Sequence, residues 1–255
     1  MKKVYSYQLV ILRLSLVLAL VSACAVAQAA STSAQISASA TSFLKRYVNK
    51  AGAVNYSAIQ RETQQLDNLL QDIASYDTKT WASQADLFAF YLNAYNLLVI
   101  GQIVENYPMA SVQQMPGFFD KKLVLVAGEK MTLDQLEREK LRKLHNDPRL
   151  HFVLVCGTTS CPRLNREAYT GKDLFVQLNN QTQRVLQDPA FVQVDAVAKT
   201  VKLPEIFKWY EAEFGGSGKT GLAYINQFRA DKSVPASFST DYYAYDWRLN
   251  DQKGK

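Results

Sequence analysis

The sequence predicts an α+β fold: a predominantly helical single domain with a central apolar helix and a small sheet built from short strands and hairpins. Three observations carry this reading. Apolar residues recur at helical spacing along most of the chain, one long segment is apolar nearly all round, and the strand-like runs are short and paired across turns. Strands that alternate with helices, as a doubly wound sheet requires, are missing from the pattern.

Ahead of the fold, residues 1–23 begin with Lys2 and Lys3 and run into Leu14-Ser15-Leu16-Val17-Leu18-Ala19-Leu20-Val21, an apolar stretch too short to span a bilayer stably. It reads as a signal peptide. Val21-Ser22-Ala23-Cys24 resembles a lipobox that ends the signal at Ala23 and acylates Cys24. The competing site, Ala27-Gln28-Ala29, suits ordinary signal peptidase and ends the signal at residue 29. Arg13 and the polar Tyr5-Ser6-Tyr7-Gln8 leave an uncleaved anchor as a third alternative. Residues 30–41, rich in Ser, Ala and Thr, are expected to be a flexible tether, 42–250 one globular domain and 251–255 a disordered tail. The expected location is the bacterial cell envelope, in the periplasm or lipid-anchored to a membrane.

Removal of the signal takes Lys2, Lys3 and Arg13 from a formal net charge of +6 and leaves +3. So mild a surplus, with no basic stripe, argues against nucleic acid as a partner. Membrane contact is expected only through the lipid anchor.

The elements follow in order. Phe43, Leu44, Tyr47 and Val48, then Ile59, Leu66, Leu69, Leu70 and Ile73, mark two amphipathic helices before Tyr76. Residues 81–107 hold the most apolar run and stop at Pro108; this is the expected buried helix. Leu123 to Met131 reads as a hairpin around Ala127-Gly128, and Thr132 as the N-cap of a charged helix reaching about Lys143. Leu150 to Val155 is an apolar, β-branched run of strand length. Lys172 to Leu186 is helical, Phe191 to Val194 and Thr200 to Leu203 form a second hairpin, and Pro204 opens a short helix at its first position. Gly215-Gly216-Ser217-Gly218 is a loop, Leu222 to Phe228 a last helix, and Tyr242-Tyr243-Ala244-Tyr245-Asp246-Trp247 an aromatic tail.

Chemistry is expected in the segment His151 to Pro162. It contains Cys156 and Cys161, the two cysteines beyond the signal region, and one of the chain's two histidines. In an oxidising compartment two cysteines four residues apart across a Gly-containing turn can close a disulfide loop. Two thiolates and one histidine leave zinc a ligand short, and a thioredoxin-type pair has two intervening residues, so neither a metal nor a cofactor is expected. Alternatively Cys156 is a nucleophile, with His151 as its base and the amides of Gly157, Thr158 and Thr159 as an oxyanion nest. On a strand, residues five apart face opposite ways, so His151 and Cys156 would meet only across a bend or bulge.

The chain resembles the family catalogued as domain of unknown function 547. The resemblance rests on Phe90-Tyr91-Leu92-Asn93-Ala94-Tyr95-Asn96, on Leu133-Asp134-Gln135-Leu136-Glu137 with Leu141-Arg142, and on Asp147-Pro148-Arg149-Leu150-His151-Phe152 leading to Cys156 and Cys161-Pro162. It continues through Ala168-Tyr169-Thr170-Gly171, Ile206-Phe207-Lys208-Trp209-Tyr210 and Tyr245-Asp246-Trp247-Arg248-Leu249-Asn250. The resemblance implies no assigned activity. It implies a role for Cys156 beyond a disulfide, because plant relatives keep the first cysteine and often carry Ser at the second. Arg138 stands where the family commonly has His, so a mechanism using that imidazole does not transfer.

Asn93 and Asn96 share a face of the apolar helix, where buried amides must find partners; they either tie the helix to loop backbone or bind substrate. Glu137, in a charged row, is either paired with Arg142 or Lys140 or is the carboxylate that orients His151 in a Cys-His-Glu arrangement. Arg163 is a candidate for pairing an anionic substrate group. The leading expectation is a thiol hydrolase or acyl transferase acting on a peptide, an amide or a small thiol. The alternative is a non-catalytic envelope binding module stabilised by a Cys156–Cys161 disulfide.

Overall fold

The computed structural model describes residues 31–215 and 221–252. The signal peptide, Cys24 with its lipidation, and most of the Gly215–Gly218 loop lie outside the described residues. Helix α1 (Ser33–Tyr47) starts well inside the expected tether. Thr32 caps it in a reciprocal capping box with Gln35, and Ile36 and Ala40 are buried. Composition suggested a linker; the helical spacing of buried Ile36, Ala40 and Phe43 and a good cap make a helix instead.

Short helices α2 (Tyr56–Arg61) and α3 (Gln64–Ser75) follow, and with α1 they pack on α4 (Gln84–Asn106). Every residue of α4 from Leu87 to Ile100 is buried, as the all-round apolar pattern requires. Its length and hydropathy would suffice to cross a membrane, but this window is 94% buried inside the protein, the signature of a core helix. Strands β1 (Val124–Val126) and β2 (Glu129–Met131) form the first hairpin; Ala127 and Gly128 both take positive φ in the turn.

Thr132 caps α5 (Leu133–Gln135), again with a capping box. The chain then widens into a π-helical turn, Leu136–Leu141, before α6 (Arg142–Leu144). A wider turn brings residues five apart onto one face. Thus Leu136 and Leu141 are both in the core, and Glu137 and Arg142 meet as a hydrogen-bonded ion pair at 2.9 Å.

The expected strand from Leu150 is the short helix α7 (Leu150–Val153). Asp147 and Pro148 start it: the Asp147 carboxylate accepts the Arg149 amide at 2.9 Å, and the Pro148 carbonyl accepts that of His151 at 3.2 Å. Its unbroken apolar run reflects a position between two cores. Leu150 and Val153 belong to the core around α4, whereas Phe152 joins a second core with Phe207, Phe214, Val201 and Ile225.

Helix α8 (Leu174–Leu186) packs on α7. Strands β3 (Gln193–Asp195) and β4 (Thr200–Pro204) make the second hairpin, and β5 (Ser239–Tyr243) pairs with β4 in parallel, giving the order β3-β4-β5. Two expectations change here. Pro204 closes β4, and the helix α9 (Ile206–Trp209) begins after Glu205; the first two residues of the aromatic tail, Tyr242 and Tyr243, are strand. Helices α10 (Glu211–Phe214) and α11 (Leu222–Asn226) complete the second core. Asp251 and Gln252, expected in a loose tail, are held: Asp251 accepts the Tyr107 hydroxyl at 2.8 Å, and the Gln252 amide reaches the carbonyls of Tyr47 and Ala53.

Candidate functional site

Residues 154–161 leave α7 in extended conformation, turn at Gly157 (φ +75°) and run beside the C-terminal segment. The turn is fixed from both sides. Asn250 donates its amide to the Gly157 carbonyl at 3.1 Å, Thr159 donates to the Arg248 carbonyl at 2.7 Å, and Ser160 donates to that of Asp246 at 3.2 Å. This pairing lays Tyr245 against the turn.

The sulfur of Cys156 lies 3.1 Å from the Thr158 hydroxyl and 2.9 Å from the Tyr245 hydroxyl, which also accepts from Thr158 at 3.1 Å. The Thr158 amide and the Cys161 thiol also hydrogen-bond to it. The Cys156 amide donates to Cys161 Sγ at 2.9 Å, and both cysteines are free thiols in close contact. Burial by itself pushes the Cys156 thiol up. The hydrogen bonds from Cys161, Thr158 and Tyr245 outweigh it and bring the group down to about 7. Cys161 moves the opposite way, well up, through burial and through its bond to Cys156 and the charge it carries. One negative charge is thus shared by the pair and resides on Cys156. Tyr245 is held protonated by burial and by the neighbouring sulfurs, so it acts as donor.

His151 does not reach either sulfur. Carried on α7, it is buried with its Nε2 at 3.0 Å from a Glu213 carboxylate oxygen and 3.3 Å from Arg142, and its ring lies against Tyr210 and Phe214. Burial lowers its pKa and Arg142 adds to this, against the opposing pull of Glu213. The expected Cys156, His151, Glu137 triad is therefore not assembled. Helical geometry at 150–153 turns the imidazole toward α10, and Glu137 spends itself on Arg142, which also pairs with Glu213 at 3.0 Å. Glu213 fills the place imagined for Glu137. Of the amides expected to form an oxyanion nest, that of Thr159 is committed to the Arg248 carbonyl. Electrostatics nevertheless links the two clusters, since Glu137, Cys156 and Cys161 all add to the burial that raises the buried Tyr95 phenol.

Asn93 and Asn96 tie the central helix to loop backbone. Asn93 accepts the Tyr169 amide and donates to the Tyr169 carbonyl, both at 2.8 Å; Asn96 does the same across Val155 and Val153 at 2.9 Å. Arg163 is half-exposed and pairs with Asp188 at 2.6 Å. It lies on a cleft of about 770 Å³ whose wall includes Cys161, Thr158, Phe191 and Arg248. Arg138 pairs with Asp134 at the surface. Among the described residues no cluster of His, Cys, Asp and Glu is suited to hold a metal ion.

Thr158, Tyr245, Glu213 and Arg142 complete these clusters; the sequence offers Thr158 only for its amide and Arg142 only as a partner of Glu137, and neither Tyr245 nor Glu213 as a site residue. Tyr245 is 89 residues from Cys156, beyond any local spacing rule. Its place in an aromatic-rich segment and in the Tyr245-Asp246-Trp247-Arg248-Leu249-Asn250 stretch of the resemblance marked it, but neither linked it to Cys156. The family model described as "Protein of unknown function, DUF547" matches residues 79–186, the stretch holding α4, α7 and both cysteines. No curated protein and no solved structure matches the chain.

Proposed function

The chain belongs to the DUF547 family, which carries no assigned reaction, and from its own residues we propose that it exchanges thiols and disulfides through Cys156 and Cys161. The observation that carries this reading is the asymmetry of the pair. Hydrogen-bond donors converge on Cys156 Sγ, and Cys161 lies beside it in the cleft wall.

In the oxidised form a substrate thiolate in the cleft attacks Cys161 Sγ. A substrate–Cys161 disulfide forms, the Cys156–Cys161 bond breaks, and its electron pair leaves on Cys156. That sulfur is the better leaving group, because a thiol of low pKa leaves faster and the donors of Thr158 and Tyr245 receive the charge. A second substrate thiolate then attacks the substrate sulfur of the mixed disulfide. It expels Cys161, which takes a proton, and the products are a substrate disulfide and the protein dithiol. Two substrate thiols are oxidised and one protein disulfide is reduced; a second disulfide-bearing molecule reverses the change in the protein. Stabilising the Cys156 thiolate stabilises the reduced form and makes the pair oxidising.

Acyl transfer at Cys156 fits less well. It calls for a base at the thiol and donors aimed at a developing oxyanion, whereas the donors here surround the sulfur itself. Export to the cell envelope, by the signal peptide and with or without acylation of Cys24, would supply an oxidising compartment. The mass of the mature N-terminus separates the two processing routes.

The test is equilibration of the protein with glutathione redox buffers, followed by alkylation and mass spectrometry. A reversible Cys156–Cys161 bond with a midpoint less negative than about −300 mV is expected, with glutathione trapped on Cys161 in Cys156→Ser. A midpoint below that range, which belongs to structural disulfides, would return the chain to a binding module with a fixed bond. Thiols that never pair would likewise reject exchange.

A further inference from the structure

The cleft beside Cys161 is large enough for a small-molecule ligand and too small for a folded partner, at about 770 Å³. Its wall is of two kinds. Met109, Val185, Phe191 and Tyr243 supply apolar surface, and two ion pairs, Arg163 with Asp188 and Arg248 with Asp246, supply charge. In each pair the arginine is the open member: the side chains of Arg163 and Arg248 are 48% and 76% exposed, against 16% and 29% for their aspartates. Arg248 holds Asp246 through Nε and one terminal nitrogen, and Arg163 holds Asp188 through one terminal nitrogen. Each guanidinium therefore keeps donors for a second carboxylate.

The base of Arg163 is fixed. Its carbonyl accepts the Gln181 amide at 2.7 Å, and Gly52, at φ +79°, packs so closely that an added Cβ would sit 2.8 Å from Arg163 Cβ. A rigid stem with a free end suits a binding arginine. Mixed apolar wall, paired charges of both signs and a sulfur together match a short zwitterionic peptide: carboxylates for the arginines, an ammonium for the aspartates, a thiol for Cys161.

Resting on the exchange reading for its sulfur chemistry, we infer that this cleft binds short peptide thiols that carry free carboxylates, with Arg163 and Arg248 as the carboxylate-binding residues. The reactive sulfur of such a ligand lies toward Cys161, and its termini lie toward the two arginines.

Calorimetric titration of the reduced protein with S-methylglutathione, which has the charges of a thiol tripeptide and no free thiol, tests the site apart from the reaction. Saturable binding is expected, at least fivefold weaker in Arg163→Gln and in Arg248→Gln, and at least tenfold weaker when the probe's carboxylates are amidated. Thermal melting of both variants at the wild-type temperature excludes misfolding as the cause. No binding, or binding unchanged in both variants, would overturn the assignment. A reversible Cys156–Cys161 midpoint beside absent binding defeats the cleft and leaves the exchange chemistry standing. Binding beside inert cysteines does the reverse.

Discussion

Cys156 and Tyr245 meet at 2.9 Å, sulfur to phenolic oxygen, across 89 residues of chain. Burial raises the phenol well above its usual value, so Tyr245 keeps its proton and gives the hydrogen bond to the thiolate. Replacing Tyr245 by Phe removes that donor and leaves the ring. Hydrogen bonds to charged groups contribute about 1.5–3 kcal/mol, and one pH unit corresponds to about 1.4 kcal/mol, so the Cys156 midpoint should rise by roughly one to two units. The pH dependence of iodoacetamide labelling at Cys156 reads this directly. A midpoint still near 7 in Tyr245→Phe would show that Thr158 and Cys161 suffice.

Asn93→Leu should destabilise the protein by about 1–3 kcal/mol, because it strands the Tyr169 amide and carbonyl in the core. Asn96→Leu should do the same through Val153 and Val155. Urea denaturation measures both. Full stability with lost ligand binding would make either amide a substrate contact instead.

The cluster of His151, Glu213, Arg142 and Glu137 sets a pH dependence of stability. Burial lowers the His151 pKa, so the folded state prefers the neutral imidazole. That preference is fully present above the unfolded value near about 6.5 and is lost as pH falls from there toward the folded pKa. Glu213 is also lowered; its burial is outweighed by Arg142 and His151, so its contribution persists until more acidic pH and falls away through its own folded pKa. The urea midpoint should therefore begin to drop below about pH 6.5. His151→Gln should flatten the first part of that decline; an unaltered slope would place the titration elsewhere.

Gly157→Ala combines two faults. The backbone stands at φ +75°, and the new Cβ would lie 2.4 Å from Ile103 Cδ1. A loss of about 2 kcal/mol is expected, visible as a lower melting temperature. Adding Ile103→Val removes the colliding methyl and should restore only part of the loss, since the left-handed backbone remains. Complete rescue would assign the whole cost to the contact.

Much of this architecture was legible. The apolar run before Pro108 announced α4, and Thr132 and the Ala127-Gly128 turn announced their cap and hairpin, because each is a local rule acting within a few residues. The failures have a common cause. Leu150 to Val155 reads as strand because burial between two cores erases the period that separates helix from strand, and α1 hides in a composition typical of linkers. At the site, the segment around Cys156 and Cys161 could be singled out from their clustering. Tyr245 and Glu213 could not be read from spacing because they arrive from distant elements, whereas the pairing of Glu137 with Arg142 was among the expected alternatives, and the π turn supplies the shared face on which residues five apart meet.

The stretch from Tyr245 to Gln252 makes contacts with Cys156, Thr159, Tyr56, Gly157 and Tyr47. Those contacts give the site an order of assembly. A growing chain carries Cys156 through the synthesis of 89 further residues before the tyrosine that steadies its charge exists. Until then the sulfur lacks that donor, and the pairing of the 157–160 turn with residues 246–250 cannot form. A chain shortened before Tyr245 is therefore expected to carry Cys156 with a higher pKa, the same two cysteines without the phenol that steadies the charge.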